Sequence, residues 1–193
     1  QPAGIEKFNW NDPDMSPQLL RLRNGGADAL VMVANAPEGA QVVKSRAKID
    51  WNVPMVSHWG ISGGRFAELT GELSESVVFV QTYSFFGKQS EAGERVIAAL
   101  KAKYGIKGPE DILAPVGTAN AYDAMHLVAL AIEKAGAADG AKIREALDNL
   151  GEYRGLIKTY RRPFTPEEHD ALNEKDYILV TWRQGKIVPV SMK

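Results

Sequence analysis

The sequence contains no cysteine, which excludes disulfide bonds, zinc–thiolate sites and thiol nucleophiles. Its three histidines, His58, His126 and His169, do not occur at a metal-binding spacing such as H-E-x-x-H. No apolar run approaches the ~20 residues that cross a membrane as a helix. The 23 basic and 24 acidic residues nearly cancel, so no strong field attracts nucleic acid or anionic lipid. We therefore expect neither a metal site nor a nucleic-acid partner.

The first residues, Gln1-Pro2-Ala3-Gly4-Ile5, lack the basic and apolar regions of a signal peptide, and the sequence has no initiator methionine. We expect the chain to be cut from a longer protein.

Short apolar segments alternate with helical patterns in the first half of the chain. Residues 27–33 are apolar and almost free of charge, which is typical of a strand buried on both faces. Strand, helix and strand at this spacing predict a parallel sheet covered by helices, an α/β fold. The predicted strands are 4–10, 27–33, 53–57 and 77–81, and the predicted helices begin at Ser16 and span 37–48 and 62–69.

Three helices without strands of their own are predicted next, at 90–104, 118–135 and 140–150. The second is apolar over more than one stripe, which predicts burial of much of its surface. The tail predicts a β-hairpin of strands 176–183 and 186–190 around a turn at Gln184-Gly185. This order indicates a chain that leaves one domain and later returns to it.

Four segments carry a resemblance to a known family. They are residues 14–20 (DMSPQLL) with 25–29 (GGADA), residues 53–56 (VPMV), residues 119–124 (ANAYDA) and residues 185–190 (GKIVPV). Their order and spacing resemble the C-terminal portion of the Leu/Ile/Val-binding proteins, the type I periplasmic binding proteins of branched-chain amino acid ABC transporters.

The resemblance implies two α/β lobes that close over a ligand. Residues 1–85 and 155–193 would form the second lobe, and the helical segment 86–154 would belong to an incomplete first lobe. The implied function is an extracytoplasmic, periplasmic solute-binding component that carries out no reaction, uses no cofactor and works with an ABC permease. The solute would be an amino acid or a small aromatic or aliphatic acid. Helices left uncovered by the incomplete lobe would pack against a second copy, as a homodimer.

Ligands of open α/β sheets sit beyond the carboxyl ends of the parallel strands, which selects the candidate site residues. One predicted strand ends at His58, Trp59 and Gly60, where an aromatic plate beside a polar group suits a small amphipathic ligand. The other candidates are Asn35 and Ala36 after an earlier strand, and Tyr83, Phe85 and Phe86 after a later one. Ordinary packing of the aromatic residues, and a helix N-cap role for Asn35, are the structural alternatives.

Three other functions fit parts of the pattern. The same fold would serve as the ligand-sensing domain of a receptor or regulator, or as an interaction module. A third alternative is a serine hydrolase, because Gly60-Ile61-Ser62-Gly63-Gly64 matches G-x-S-x-G between a predicted strand and a predicted helix. Ser62 would then work with His169 and with Asp123 or Asp148.

Overall fold

A computed structural model describes residues 1–190, which divide into two compact units. The first unit contains residues 1–81, 108–114 and the chain from 179 onward, and the second contains residues 82–107 and 115–178. The lobes implied by the resemblance stay a prediction about the whole protein. The compact units differ from those lobes at three places: residues 82–85 and 155–178 belong to the unit of the middle helices, and residues 108–114 belong to the first unit. Residues 191–193 of the predicted second lobe lie outside the described part.

From the first helix onward, the described elements follow the predicted order, with one additional hairpin. The helices are α1 (Ser16–Asn24), α2 (Ala36–Lys48), α3 (Phe66–Thr70), α4 (Glu91–Tyr104), α5 (Pro115–Ala135) and α6 (Gly140–Asp148). The strands are β1 (Leu30–Met32), β2 (Met55–Ser57), β3 (Val78–Gln81), β4 (Tyr153–Arg154), β5 (Thr159–Tyr160), β6 (Ile178–Arg183) and β7 (Lys186–Pro189).

The first unit is built on a five-stranded sheet in the order β1-β2-β3-β6-β7. The first three strands are parallel, as predicted, with Leu30 opposite Met55 and Val56 opposite Val78. β6 and β7 form the predicted antiparallel hairpin. Its turn residues, Gln184 and Gly185, both have positive φ, the backbone of a tight two-residue turn.

Helix α2 packs closely on one face of this sheet. A Cβ atom at Gly39 would lie 2.8 Å from Ile61 and 3.5 Å from both Met32 and Phe66, so glycine permits the close contact. Glu38 lies in the first turn of α2 and Arg46 in its last, positions that suit the helix dipole.

The opposite face of β1 is uncovered in the described chain, contrary to the predicted burial on both faces. Leu30 and Met32 are buried, whereas Val31 is 81% exposed and Val33 is 71% exposed. Side chains alternate across a strand, so only the face toward α2 is covered.

The predicted strand at residues 4–10 is wrong, because the described residues there form no strand. The Lys7 carbonyl instead accepts a hydrogen bond from the Gln18 side chain, and Glu6 binds Arg21 through two hydrogen bonds of 2.9 and 2.7 Å. These contacts hold the segment beside α1. Helix α1 begins at Ser16, as predicted, with Met15 in the N-cap position, and the Ser16 hydroxyl donates a hydrogen bond to Asp14.

The second unit consists of α4, α5, α6 and the short hairpin β4–β5, which the sequence did not predict. Helix α4 has Ser90 at its N-cap, where the hydroxyl accepts a hydrogen bond from the Gly93 N–H. Helices α5 and α6 share a buried cluster of Leu127, Ala131, Ala146 and Leu150.

The predicted burial of most of α5 is wrong for the described chain. One stripe is buried, but Met125 is 69% exposed, and Val128, Leu130 and Ile132 are each 37% exposed. The homodimer through these helices stays a prediction.

A buried carboxylate joins α5 to the β4–β5 hairpin. Asp123 is 2% exposed, and its oxygens accept hydrogen bonds from the Leu156 N–H at 2.5 Å, the Ile157 N–H at 2.9 Å and the Tyr160 hydroxyl at 2.9 Å. Burial, reinforced by the Asp123 charge, holds the pKa of Tyr160 well above its usual range. The phenol therefore stays a donor at neutral pH.

Candidate functional site

Two of the predicted site segments lie next to each other at the carboxyl edge of the sheet. Strands β1 and β2 are parallel and end at paired residues, Met32 opposite Ser57. The Ser57 hydroxyl donates a 3.0 Å hydrogen bond to the Met32 carbonyl and joins the two strand ends. The chain leaves β1 through Asn35 and β2 through His58, so these predicted site residues follow adjacent strand ends.

Gly60 allows the loop after β2 to approach the end of β1. A Cβ atom at Gly60 would lie 2.4 Å from the Ala34 carbonyl oxygen and 2.4 Å from Cε1 of His58. Both distances are below van der Waals contact, so any larger residue requires the backbone to move. The Gly60 N–H donates a 3.0 Å hydrogen bond to Nδ1 of His58, at the start of a single 3₁₀ turn, Trp59–Ile61. Glycine therefore fixes the position of His58.

His58 is partly buried, and burial lowers its pKa from the ordinary value of 6.5. The imidazole is therefore neutral at pH 7. Because Nδ1 accepts the hydrogen bond from Gly60, the ring carries its proton on Nε2 and presents a donor there. Its ring lies edge-on to Trp59, with centroids 5.8 Å apart and an interplanar angle of 88°. Trp59 is 41% exposed.

A pocket of about 340 Å³ opens at these strand ends. Its lining consists of Phe8, Trp10, Val33, Ala34, Asn35, Glu38 and His58. The size is at the lower end of the range for small-molecule sites, and the mixture of aromatic and polar groups is typical of them. The described residues thus bring two predicted site residues, Asn35 and His58, to one concave surface.

The other lining residues were not predicted as members of the site, and three of them carry aromatic or charged side chains. Glu38 lies in the first helical turn after a parallel strand, and that position, which faces the carboxyl edge of the sheet, was the available signal. Phe8 had been placed inside the wrongly predicted first strand. Trp10, read as the end of that strand, is 76% exposed at the pocket.

The remaining predicted site residues lie elsewhere. Ala36 is 2% exposed within the first turn of α2 and does not line the pocket. Tyr83 and Phe85 belong to the second unit, where their rings pack edge to face with centroids 5.0 Å apart. Phe85 is 1% exposed, so it is a core residue of that unit and leaves no surface for a ligand. The Tyr83 hydroxyl donates to the Gln89 side chain at 2.7 Å.

Comparisons with known proteins identify the family of this chain. A family model described as periplasmic binding protein matches residues 2–186. The chain belongs to the periplasmic binding protein family. The Leu/Ile/Val-binding protein homolog 3 of Brucella melitensis is 25% identical over 192 residues, which are 96% of this chain and 49% of that protein. The leucine-, isoleucine-, valine-, threonine- and alanine-binding protein of Pseudomonas aeruginosa is 26% identical over 145 residues, 75% of this chain and 37% of that protein.

Solved structures confirm the type I fold of this periplasmic binding protein chain. A periplasmic binding protein type 1 from Bordetella pertussis superposes with a TM-score of 0.82 at 22% identity, over 98% of this chain and 53% of that one. LivJ from Streptococcus pneumoniae, solved in complex with isoleucine, gives a TM-score of 0.71 at 23% identity, over 93% of this chain and 48% of that one. The chain spans about half the length of these relatives, and the resemblance to the Leu/Ile/Val-binding type is confirmed.

The serine hydrolase alternative requires a nucleophile elbow at Ser62, and the chain does not have that geometry. Ser62 is 5% exposed and has ordinary helical backbone angles, φ −77° and ψ −7°. A nucleophile elbow requires an exposed serine on a strained turn. The residues with left-handed backbone angles are Gly64 and Arg65. They interrupt the helix predicted at 62–69, so that α3 begins only at Phe66.

Two further observations concern metal ions and membranes. Among residues 1–190, no group of three histidine, aspartate or glutamate side chains comes close enough to hold a metal ion. No described helix is long and apolar enough to cross a membrane.

We predict that the loop after β2 is sensitive to acid. A protonated His58 cannot accept the Gly60 hydrogen bond, and its folded-state pKa is lowered by burial. This stabilisation is therefore present above pH 6.5 and is lost as the pH falls through the lowered folded-state pKa. Melting temperatures measured from pH 7.5 to 5 should fall more steeply for the unmodified protein than for His58→Asn, which keeps an acceptor but does not titrate. His169→Gln, at an exposed histidine, should follow the unmodified protein; equal slopes for all three would contradict the assignment.

Proposed function

We propose that this chain is part of the solute-binding component of an extracytoplasmic ABC uptake system. The observation that carries the proposal is the pocket at the carboxyl ends of β1 and β2, in a chain whose family and fold are those of periplasmic binding proteins. Relatives named for binding branched-chain amino acids support an amino acid as the solute, and a small aromatic or aliphatic acid is the other class proposed. The remaining contacts would come from the rest of a two-lobed protein, and an ABC permease would receive the solute.

In this proposal, polar groups of the pocket fix the orientation of the solute and aromatic groups cover it. His58 presents its Nε2–H, and the exposed side chain of Asn35 offers both a donor and an acceptor. Trp10 lines the pocket, and Trp59 packs against the outer edge of His58. Aromatic faces bury apolar area at low entropic cost, which suits a small amphipathic solute.

We predict that the protein expressed from its complete reading frame is stabilised by its solute. A ligand that binds only the native state raises the melting temperature. At a free concentration of 100 times its dissociation constant, it adds about 2.7 kcal/mol to the free energy of unfolding. The screen would contain leucine, isoleucine, valine, phenylalanine, benzoate and hexanoate. No shift with any member of these classes would count against the proposal.

Asn35→Ala tests the position of the site within the same screen. Asn35 is exposed and its side chain makes no capping hydrogen bond with α2, so folding should tolerate the change. Loss of one or two solute hydrogen bonds should weaken binding about tenfold in calorimetry. Asn52→Ala is the matched control, because Asn52 is exposed in the same unit and lies before β2. If both variants bind like the unmodified protein, the site is elsewhere.

A further inference from the structure

Gln81 carries a buried amide group that makes no hydrogen bond. It is the last residue of β3, and it is 0% exposed. Within residues 1–190, Gln81 is the only residue whose side chain has two polar atoms that are both buried without a hydrogen-bond partner. A buried donor or acceptor without a partner costs more free energy than a formed hydrogen bond contributes. The described conformation therefore has an unfavourable group at the carboxyl end of β3.

The side chain of Gln81 lies on the face of β3 that the loop after β2 covers. Side chains two residues apart share a face of a strand, so Gln81 is on the same face as Phe79. Phe79 packs against Trp182 with ring centroids 6.2 Å apart, and the Trp182 Nε1–H donates a 3.2 Å hydrogen bond to the Ile61 carbonyl. Ile61 ends the 3₁₀ turn Trp59–Ile61, which contacts β3. The unpaired amide and this turn are therefore on the same side of the sheet.

The register of the sheet brings Gln81 level with the same turn. Ser57 lies opposite Phe79 in the parallel pair of β2 and β3. Two residues further along each chain, Trp59 and Gln81 follow at the same edge of the sheet. The backbone of the turn has N–H and C=O groups, which are the partners that an amide side chain requires. A shift of this turn is therefore able to give Gln81 a donor and an acceptor.

We propose that Gln81 is a positioning residue that couples solute binding to the loop after β2. In the solute-free protein its amide is unpaired, and when a solute binds beside His58 the turn shifts so that its backbone pairs with the amide. The hydrogen bonds gained inside the protein then favour the bound conformation over the free one. This inference rests on the proposed solute-binding function. It adds a residue that touches no solute, because Gln81 is buried and does not line the pocket.

The first test measures the stability of Gln81→Met without any solute. Methionine has nearly the volume of glutamine and no polar group that requires a hydrogen bond, so the solute-free protein should become more stable. We expect the melting temperature of the protein from the complete reading frame to rise by at least about 2 °C. Gln41→Met, at a partly exposed position of α2 in the same unit, should leave it unchanged. An unchanged or lowered melting temperature in Gln81→Met would show that the amide is satisfied in the solute-free protein and overturn the inference.

The second test measures solute affinity in the same two variants. Gln81→Met removes the penalty of the free conformation and the hydrogen bonds of the bound one, so the binding-competent conformation becomes rarer. The compound of the screen above that binds the unmodified protein most tightly should bind Gln81→Met about tenfold more weakly in calorimetry. Gln41→Met should bind it with unchanged affinity. A purely structural role of Gln81 would not raise stability and weaken binding together.

The outcomes separate this inference from the proposed function. If Gln81→Met binds the compound as tightly as the unmodified protein or more tightly, the coupling is overturned and the solute-binding function is left intact. If the unmodified protein binds no compound of the screen, both are overturned.

A measurement on the unmodified protein keeps the test decisive if Gln81→Met does not fold. The side-chain NH₂ protons of Gln81 are observed by nitrogen-15-correlated NMR before and after saturation with the same compound. Both states keep the amide buried, so a downfield shift of these protons on saturation reports a new hydrogen bond. The NH₂ protons of Gln41 are the control and should not shift. Unshifted Gln81 protons at saturation overturn the inference.

Discussion

Replacing Gly60 by alanine is expected to destabilise the first compact unit by about 3 kcal/mol, near the upper end of overpacking effects. The added methyl group would lie 2.4 Å from the Ala34 carbonyl oxygen. That oxygen belongs to the backbone at the end of β1 and cannot rotate away like a side chain. The same methyl group would displace the His58 ring, whose Cε1 is also 2.4 Å away. Relief therefore requires the loop after β2 to move away from β1.

The effect would be measured by urea unfolding, followed by far-UV circular dichroism. Gly140→Ala is the control, because nothing lies within 4 Å of the added methyl group and Gly140 is the first residue of α6. Alanine there should be neutral or slightly stabilising. Solute affinity of Gly60→Ala should also fall, because the loop that holds His58 has moved. A Gly60→Ala protein as stable as the Gly140→Ala control would show that the loop is not packed as described.

Replacing Asp123 by asparagine is expected to cost about 4 kcal/mol, the second large effect. The carboxylate accepts from three donors, the buried Leu156 N–H and Tyr160 hydroxyl and the partly buried Ile157 N–H. An asparagine oxygen can replace only part of this set, and its NH₂ group would face donors. Each unsatisfied buried donor costs about 1–3 kcal/mol. The β4–β5 hairpin has only two paired residues in each strand, so Asp123 supplies much of what holds it to α5.

Tyr160→Phe separates the contributions within this network. It removes one donor and leaves both backbone hydrogen bonds, so it should cost about 1.5–3 kcal/mol and less than Asp123→Asn. Asp148→Asn, at a partly exposed position on α6, should change stability by less than about 0.5 kcal/mol. Hydrogen exchange at the Leu156 and Ile157 amides gives a local measurement, and both should exchange faster in Asp123→Asn. Unchanged protection there would contradict the assigned hydrogen bonds.

Local chemistry made several elements predictable from the sequence. The start of α1 at Ser16 and the Gln184-Gly185 turn each depend on residues that are neighbours in the sequence. The failures depend on distant partners or on very short elements. The β4–β5 hairpin was missed because two-residue strands have no detectable period. Residues 4–10 have a strand-like pattern, but contacts of Glu6 and Lys7 with α1 hold the segment without a strand partner.

The residues of the candidate site were likewise predictable only in part. Its position followed from the rule that parallel strands present ligands at their carboxyl ends, which selected Asn35 and His58. Phe85 shows the limit of that rule, because an aromatic residue after a strand is equally suited to a core. Glu38 shows the converse, because an acidic residue in the first turn of a helix is already explained by the helix dipole. Only the packing of α2 against the sheet brings it to a pocket with Phe8 and Trp10.

The sequence by itself determined the α/β class, the parallel order of β1 to β3 and the family, because these depend on local periodicity and on ordered motifs along the chain. The tertiary structure decided which face of β1 is covered, that Gly60 must be glycine, and that Asp123 is a buried acceptor for three donors. Those properties arise from contacts between residues that are far apart in the sequence. Ala34 and Gly60 are 26 positions apart, and Asp123 and Leu156 are 33 positions apart. The pattern of a single segment cannot predict such contacts, because they depend on how the segments pack.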